Sequence, residues 1–182
     1  MRIIGGQFGG RNLIAPASLP VRPTTDYAKS ALFNILNNHF DYSEVRLLDL
    51  FCGTGSISLE FASRGCTDIT CVDDHALCLK YVKEVSVKLG IRGMHFVKFD
   101  AFKYLDKFAD SYDIIFADPP FVHADTDKIP EIVFQRNLLK QDGWLIVEHQ
   151  SKRVLQSPVG LADLRIYGNC AFSMYKNNQP KL

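Results

Sequence analysis

A chain of 182 residues with 47% hydrophobic side chains holds enough apolar material for one well-buried domain and too little for two large ones. Its five cysteines are odd in number and lack a two-residue spacing, and its five histidines are scattered, which disfavours a disulfide framework, a zinc knuckle or any protein-bound metal. With a formal charge of +1, no apolar leader and no apolar run of roughly 18 residues, it reads as a cytoplasmic protein with reduced thiols, neither exported nor inserted in a membrane.

The first 16 residues alternate short apolar runs with glycines and predict a β-hairpin, or two short strands joined by a glycine turn. Pro20 and Pro23 then interrupt the chain. In TTDYAKSALFNILNNHF, Thr24 or Thr25 is a candidate N-cap, and Ala28, Ala31, Leu32, Ile35 and Leu36 share one helical face. From Val45 onward, apolar runs alternate with amphipathic stretches. Strands are expected at 45–51, 69–73, 94–99, 112–117 and 143–148, and helices at about 56–64, 75–89, 101–108 and 128–140. Near-continuous apolar strands linked by helices imply an α/β fold, its mainly parallel sheet covered on both faces. The tail LRIYGNCAFSMYK leaves no room for another crossover helix, so its two strands should close the sheet as an antiparallel hairpin turning at Gly168 and Asn169.

Doubly wound sheets bind ligands beyond the carboxyl ends of their strands. Here the first strand runs into LLDLFCGTGSIS, where Gly53 and Gly55 permit a sharp turn and the next helix offers its N-terminal amides. A pyrophosphate fingerprint needs a third glycine where Ser58 stands, and no Lys-Ser/Thr follows for a P-loop. Acids take the place of a phosphate cradle. Asp73 ends the second strand, where a carboxylate can grip two ribose hydroxyls; Asp100 ends the third, within reach of an adenine amino group; Asp49, inside the first, can answer a cation. Asp73 and Asp74 also suit capping of the helix that begins near His75. The set fits an adenosine-bearing cation better than a dinucleotide.

The fourth strand ends in FADPPF, two imino acids that fix φ and donate no backbone hydrogen bond, with a carboxylate in front. DLFCGTG resembles the first motif of class I S-adenosylmethionine-dependent methyltransferases, with Asp73 and Asp100 at its second and third acidic positions. DPPF resembles the fourth motif of those that methylate exocyclic amino groups. The resemblance implies a Rossmann-like, seven-stranded core. It implies that the cofactor-binding set is Asp49, Phe51, Gly53, Gly55, Asp73, Asp74, Asp100 and Ala101, and that the catalytic set is Asp118, Pro119, Pro120 and Phe121. An amino group conjugated to a base is a poor nucleophile. Two acceptors, the Asp118 carboxylate and the Pro119 carbonyl, would favour a pyramidal nitrogen and stabilise its growing positive charge, while the prolines hold them still and Phe121 stacks on the extruded base.

RIIGGQFGGRNL, RPTTD and ALFNIL resemble the bacterial 16S rRNA guanine-N2 methyltransferases of the RsmD type over nearly the whole chain. The implied organisation is a basic RNA-contacting extension over residues 1–40, a hairpin and a helix, followed by a methyltransferase domain over 41–182. Residues 1–40 hold four cations, Arg2, Arg11, Arg22 and Lys29, against the single acid Asp26, and these four are the candidate phosphate contacts. The implied partner is 16S rRNA within the small ribosomal subunit or an assembly intermediate, met by a monomer. This chain departs from the family pattern at Phe8, Tyr27, Ala28 and Ser30. An amino-methyltransferase acting on DNA or another RNA uses the same acidic Pro-Pro-aromatic motif, but the short chain offers no obvious base-reading domain. A non-catalytic RNA-binding factor retaining the cofactor fold is the remaining alternative.

Overall fold

The computed structural model describes residues 1–16, 19 and 25–178. Seven strands form one sheet: β1 (Arg46–Leu50), β2 (Asp68–Asp73), β3 (Met94–Lys98), β4 (Tyr112–Ala117), β5 (Leu139–Gln150), β6 (Asp163–Tyr167) and β7 (Cys170–Lys176). Their order across the sheet is β3-β2-β1-β4-β5-β7-β6. The first five run parallel, and β7 pairs antiparallel with both β5 and β6. The order reverses between β1 and β4, and the loops that leave these two strands therefore diverge above a crevice.

The helices α1 (Asp26–Leu36), α2 (Ser56–Ser63), α3 (Ala76–Leu89), α4 (Ala101–Lys107) and α5 (Lys128–Gln135) cover the two faces. Alternation along β1 sorts the core: Leu47 points to the layer holding Leu32, Phe33 and Phe61, and Leu48 and Leu50 to the layer holding Tyr104, Leu105, Ile129 and Val133. Thr25 caps α1, its hydroxyl accepting from the Ala28 amide, and Asp26 in the first turn suits the positive end of the helix dipole. All five cysteines are free and buried. Among the described residues, no helix is long and apolar enough to cross a membrane.

Two expected elements differ. The last helix ends at Gln135 rather than near 140, because Asn137 adopts a left-handed φ of 52° and Leu139 already pairs with Tyr112. The register then slips, the partner advancing from Leu139 to Trp144 while β4 advances only from Tyr112 to Ile114. The N-terminal hairpin is short, one antiparallel bridge from Arg2 to Asn12 with the amides of Ile3, Gly10 and Leu13 bonded across it. The amides of its turn serve another purpose. Those of Ile4 and Gly5 donate to the Glu60 carboxylate at 2.7 and 2.9 Å, and that of Phe8 to Ser63 Oγ at 2.9 Å, so the loop is docked on α2. Gly6 has φ 72°, and a Cβ there would lie 1.9 Å from the Ser63 carbonyl oxygen. Only glycine fits so close an approach.

Glu60 is fully buried and also receives the Arg64 guanidinium at 2.8 Å and stands 3.8 Å from the Lys29 ammonium. Lys29, equally buried, donates to the Arg2 carbonyl at 2.6 Å and to Ser56 Oγ at 3.0 Å. Burial lowers the Lys29 pKa, and Glu60 opposes that. Removing Glu60 strands a cation in the interior. Glu60→Ala is expected to cost about 3–5 kcal/mol, read from urea unfolding, with Glu60→Gln costing less because it keeps acceptors for the Ile4 and Gly5 amides.

Candidate active site

The turn after β1 is shaped by three closely spaced constraints. Phe51 holds a left-handed φ of 59°, Gly53 one of 52° and Gly55 one of 69°. At Gly55 a Cβ would also meet the Val82 methyls at 2.6 and 2.7 Å, so α3 packs against bare backbone. The Cys52 amide donates to Val72 O at 3.1 Å, tying the turn to β2. Asp73 completes the joint: one carboxylate oxygen accepts from the Gly53 amide and the other from the His75 amide, both at 2.8 Å. The carboxylate is thus oriented by two donors and keeps lone pairs for a ligand. Burial raises its pKa, and the two amides oppose that.

Asp49, 1% exposed, accepts from the Ser58 amide and from Ser58 Oγ. Ser58 at the third-glycine position therefore has a duty, which is to hold this acid. Burial pushes the Asp49 carboxyl up to about 7 against those hydrogen bonds. Asp100 is the N-cap of α4, accepting from the Lys103 amide at 2.8 Å, and Ala101 is the buried first residue of that helix. Asp74 is exposed. Its neighbour Asp73 caps the turn into α3 by the contact with His75, so structural and ligand roles coincide in one carboxylate.

Across the crevice, the Asp118 amide donates to Leu50 O at 3.3 Å, which fixes the acceptor loop to the end of β1. Asp118 is half-buried, Pro119 buried, and Pro120 and Phe121 exposed. Burial first, then the Glu148 and Asp49 carboxylates, push the Asp118 pKa well up. Glu148, 4% exposed, follows Val147, the β5 partner of Ala117, which sets it beside Asp118. Beyond the prolines the loop turns, His123 donating its amide to Pro120 O at 2.7 Å. Arg153 then clasps it from the loop after β5, donating to His123 O and to Asp127, each at 3.0 Å.

Three residues of this site escape motif reading. Phe102 stacks on His123 with ring centres 4.8 Å apart, and Phe51 approaches both, at 5.9 and 6.3 Å, forming an aromatic cluster that ties the turn after β1 to the start of α4 and the loop after β4. The third, Glu148, had one sequence signal, an acid ending the apolar run GWLIVE. Among the described residues, no lysine or arginine pairs with Asp49, Asp73, Asp74, Asp100 or Asp118. The crevice is anionic and suits a cationic ligand that brings hydroxyls and an amino group. Among the described residues, no cluster of histidine, cysteine or carboxylate side chains has the makings of a metal centre.

The basic extension is less open than its charge suggests. Arg2 is exposed and paired with Asp26 at 3.2 Å, and Arg11 is exposed with its guanidinium 5.4 Å from the centre of the Phe8 ring. Arg22 lies outside the described residues. Lys29 is a correction: buried and held by the Arg2 carbonyl and Ser56, it cannot contact a phosphate.

The model of the family described as conserved hypothetical protein 95 matches residues 1–176. The chain is 34% identical over 149 residues to the ribosomal RNA small subunit methyltransferase D of Escherichia coli strain K12, covering 81% of this chain and 71% of that protein. In structure it is similar to the putative methyltransferase yhhF of Escherichia coli, with a TM-score of 0.86 at 24% identity, covering 99% of each chain. It is also similar to an RNA methyltransferase from Salinibacter ruber in complex with S-adenosyl-L-homocysteine, with a TM-score of 0.67 at 13% identity, covering 88% of this chain and 97% of that one. Both likenesses are of fold, the class I arrangement.

Two measurements probe the acids. Since the folded-state pKa of Asp49 is raised, the folded chain holds a proton that the unfolded chain has lost, and stability falls as pH rises from about 4 through about 7. Relative to Asp49→Asn, the parent should lose up to about 4 kcal/mol over that window in urea unfolding. Asp73→Ala should weaken S-adenosylhomocysteine binding by about 10- to 100-fold in calorimetry, through the lost acceptors for the ribose.

Proposed function

Because the chain belongs to the family described as conserved hypothetical protein 95, the RsmD-type class I methyltransferases, we propose that it transfers a methyl group from S-adenosylmethionine to the N2 amino group of a guanine in 16S rRNA. The observation that carries this reading is the acceptor corner itself. Asp118 stands on a rigid Pro-Pro support at the switch between β1 and β4, at the same end of the sheet as Asp49 of β1 and Asp73 of β2, with its basicity raised by burial and then by Glu148. The naming of a similar protein as a small-subunit ribosomal RNA methyltransferase supports the polymer.

When bound, the cofactor supplies an electrophilic methyl carbon on a sulfonium sulphur. The chain's residues do the rest. Asp73 would hold the ribose hydroxyls, the second oxygen of Asp100 would accept from the adenine amino group, and Asp49 would offset the cation, whose charge favours the ionised form of that carboxyl. The Asp118 carboxylate and the Pro119 carbonyl accept the two N–H bonds of the guanine amine, which turns the nitrogen lone pair out of conjugation and toward the methyl carbon. The N–C bond forms as the C–S bond breaks, the sulphur keeping its electron pair. The amine then loses one proton, for which Asp118 is the nearest base. Phe121, 39% exposed, offers a face to the extruded base, and the rings of Phe51, Phe102 and His123 add apolar surface beside the acceptor loop.

Phosphate contacts fall to Arg2, Arg11 and Arg22, so the RNA approaches over the N-terminal extension. The protein acts as a monomer in the cytoplasm, on the small subunit or an assembly intermediate. The test is labelled methyl transfer to naked 16S rRNA, assembled small subunits and DNA in parallel, with mass spectrometry of the nucleosides. N2-methylguanosine from an RNA arm is expected, with Asp118→Ala slowing transfer by about 100-fold or more while cofactor affinity holds. Methylated adenine or cytosine, or label entering DNA alone, would redirect the assignment.

A further inference from the structure

At the same end of the sheet as Asp118, an aromatic pair stands at the surface with no part in the methyl transfer itself. Tyr27, in the first turn of α1, is 72% exposed. Its ring meets that of Tyr167, at the end of β6, almost perpendicularly, 82° at 5.8 Å between centres. Tyr167 packs in turn on Phe172 at 5.9 Å, and Phe172 on Phe116 at 6.3 Å. Phe116 lies on β4, two residues before Asp118. The rings thus form a continuous ladder from the rim to the strand that carries the acceptor.

The strand registers place the pair at that carboxylate's end of the sheet, three strands and roughly 14 Å across from β4. Tyr167 pairs with Cys170, and Cys170 pairs with Gln150, two residues past Glu148 on β5. Glu148 itself pairs with Phe172, so the start of β7 lies beside the residue that flanks the acceptor, and burial and then the Glu148 and Asp118 charges push the Cys170 thiol up to about 12. On the other flank, Arg2 pairs with Asp26, the residue before Tyr27, so a guanidinium is anchored in the same first turn of α1. An exposed ring of fixed orientation, a cation anchored on the adjoining residue and a base-accepting corner at the same end of the sheet are the components of a single-strand nucleic-acid groove.

Resting on the RNA methyltransferase reading, we infer that Tyr27, buttressed by Tyr167, stacks an unpaired base that neighbours the target guanosine and so holds the strand while the target is extruded. Every base has a π face, so such a platform grips without reading sequence, and selection of guanine is left to the Asp118 corner. Aromatic stacking of this kind supports extrusion by replacing the stacking that the neighbouring base loses.

The probe is a short single-stranded RNA with one guanosine flanked by 2-aminopurine, titrated with the full chain in the presence of S-adenosylhomocysteine. The parent should quench the 2-aminopurine fluorescence. Tyr27→Ala should abolish the quench and bind the RNA about 5- to 150-fold more weakly, while Tyr27→Phe keeps both and all three proteins bind S-adenosylhomocysteine alike. Tyr27 is exposed, so the substitution leaves the core untouched. Equal quenching and RNA affinity in Tyr27→Ala and the parent would overturn the platform. So would a Tyr27→Phe variant as weak as Tyr27→Ala, since a hydroxyl contact would then be responsible. The methyl-transfer reading fails separately, if the parent labels no RNA at all, whatever the fluorescence shows.

Discussion

β1 pairs in parallel with β2 on one side and with β4 on the other, and this double pairing is the constraint on which the site depends. One strand cannot send its outgoing loop both ways. Its loop turns toward β2, where Asp73 fastens Gly53 and His75, and the loop after β4 departs on the opposite side, fastened at its root by the Asp118 amide on Leu50 O and farther out by Arg153. The crevice between them is enforced by backbone hydrogen bonding rather than by side-chain shape. Its walls can then carry groups that a close-packed interior would reject.

Those groups are anions. Asp49, Asp73, Asp118 and Glu148 converge on one end of the sheet, and no cation from the described residues pairs with the first three. The cost of burial is visible in the upward shift of Asp49, Asp73 and Asp118. Ordinary folding selects against such a cluster. It makes sense where a ligand brings positive charge, and where a base must take a proton from an amine as that amine becomes cationic. The prolines after Asp118 complement this by removing freedom from the oxygens that face the nitrogen.

The fold was legible because the central strands, β1 and β4 above all, are apolar on both faces and show as short unbroken runs, and because the loops of DLFCGTG and DPPF need residues that few other turns need. What stayed hidden depends on distant partners. Lys29 counts as one more cation in a basic segment, yet its ammonium is buried by Ser56 and Glu60, 27 and 31 positions along, which no local pattern announces. The predicted hairpin is present but short for the same reason, the amides of its turn being taken by Glu60 and Ser63 while Ile3, Gly10 and Leu13 keep the cross-chain bonds. The end of α5 was missed because a left-handed asparagine and a bulge are conformations that Asn137 and Asp142 permit but do not advertise. Glu148 joins the site only through the β4–β5 register.

The burial of every thiol has a practical consequence for watching this molecule at work. Cysteine-directed dyes would find no native attachment point, so one engineered cysteine would be the single position labelled. Val122, 94% exposed and next to Phe121, is the natural place for it. A fluorophore there would report directly on whether the segment beyond the prolines stays put or swings when substrate arrives.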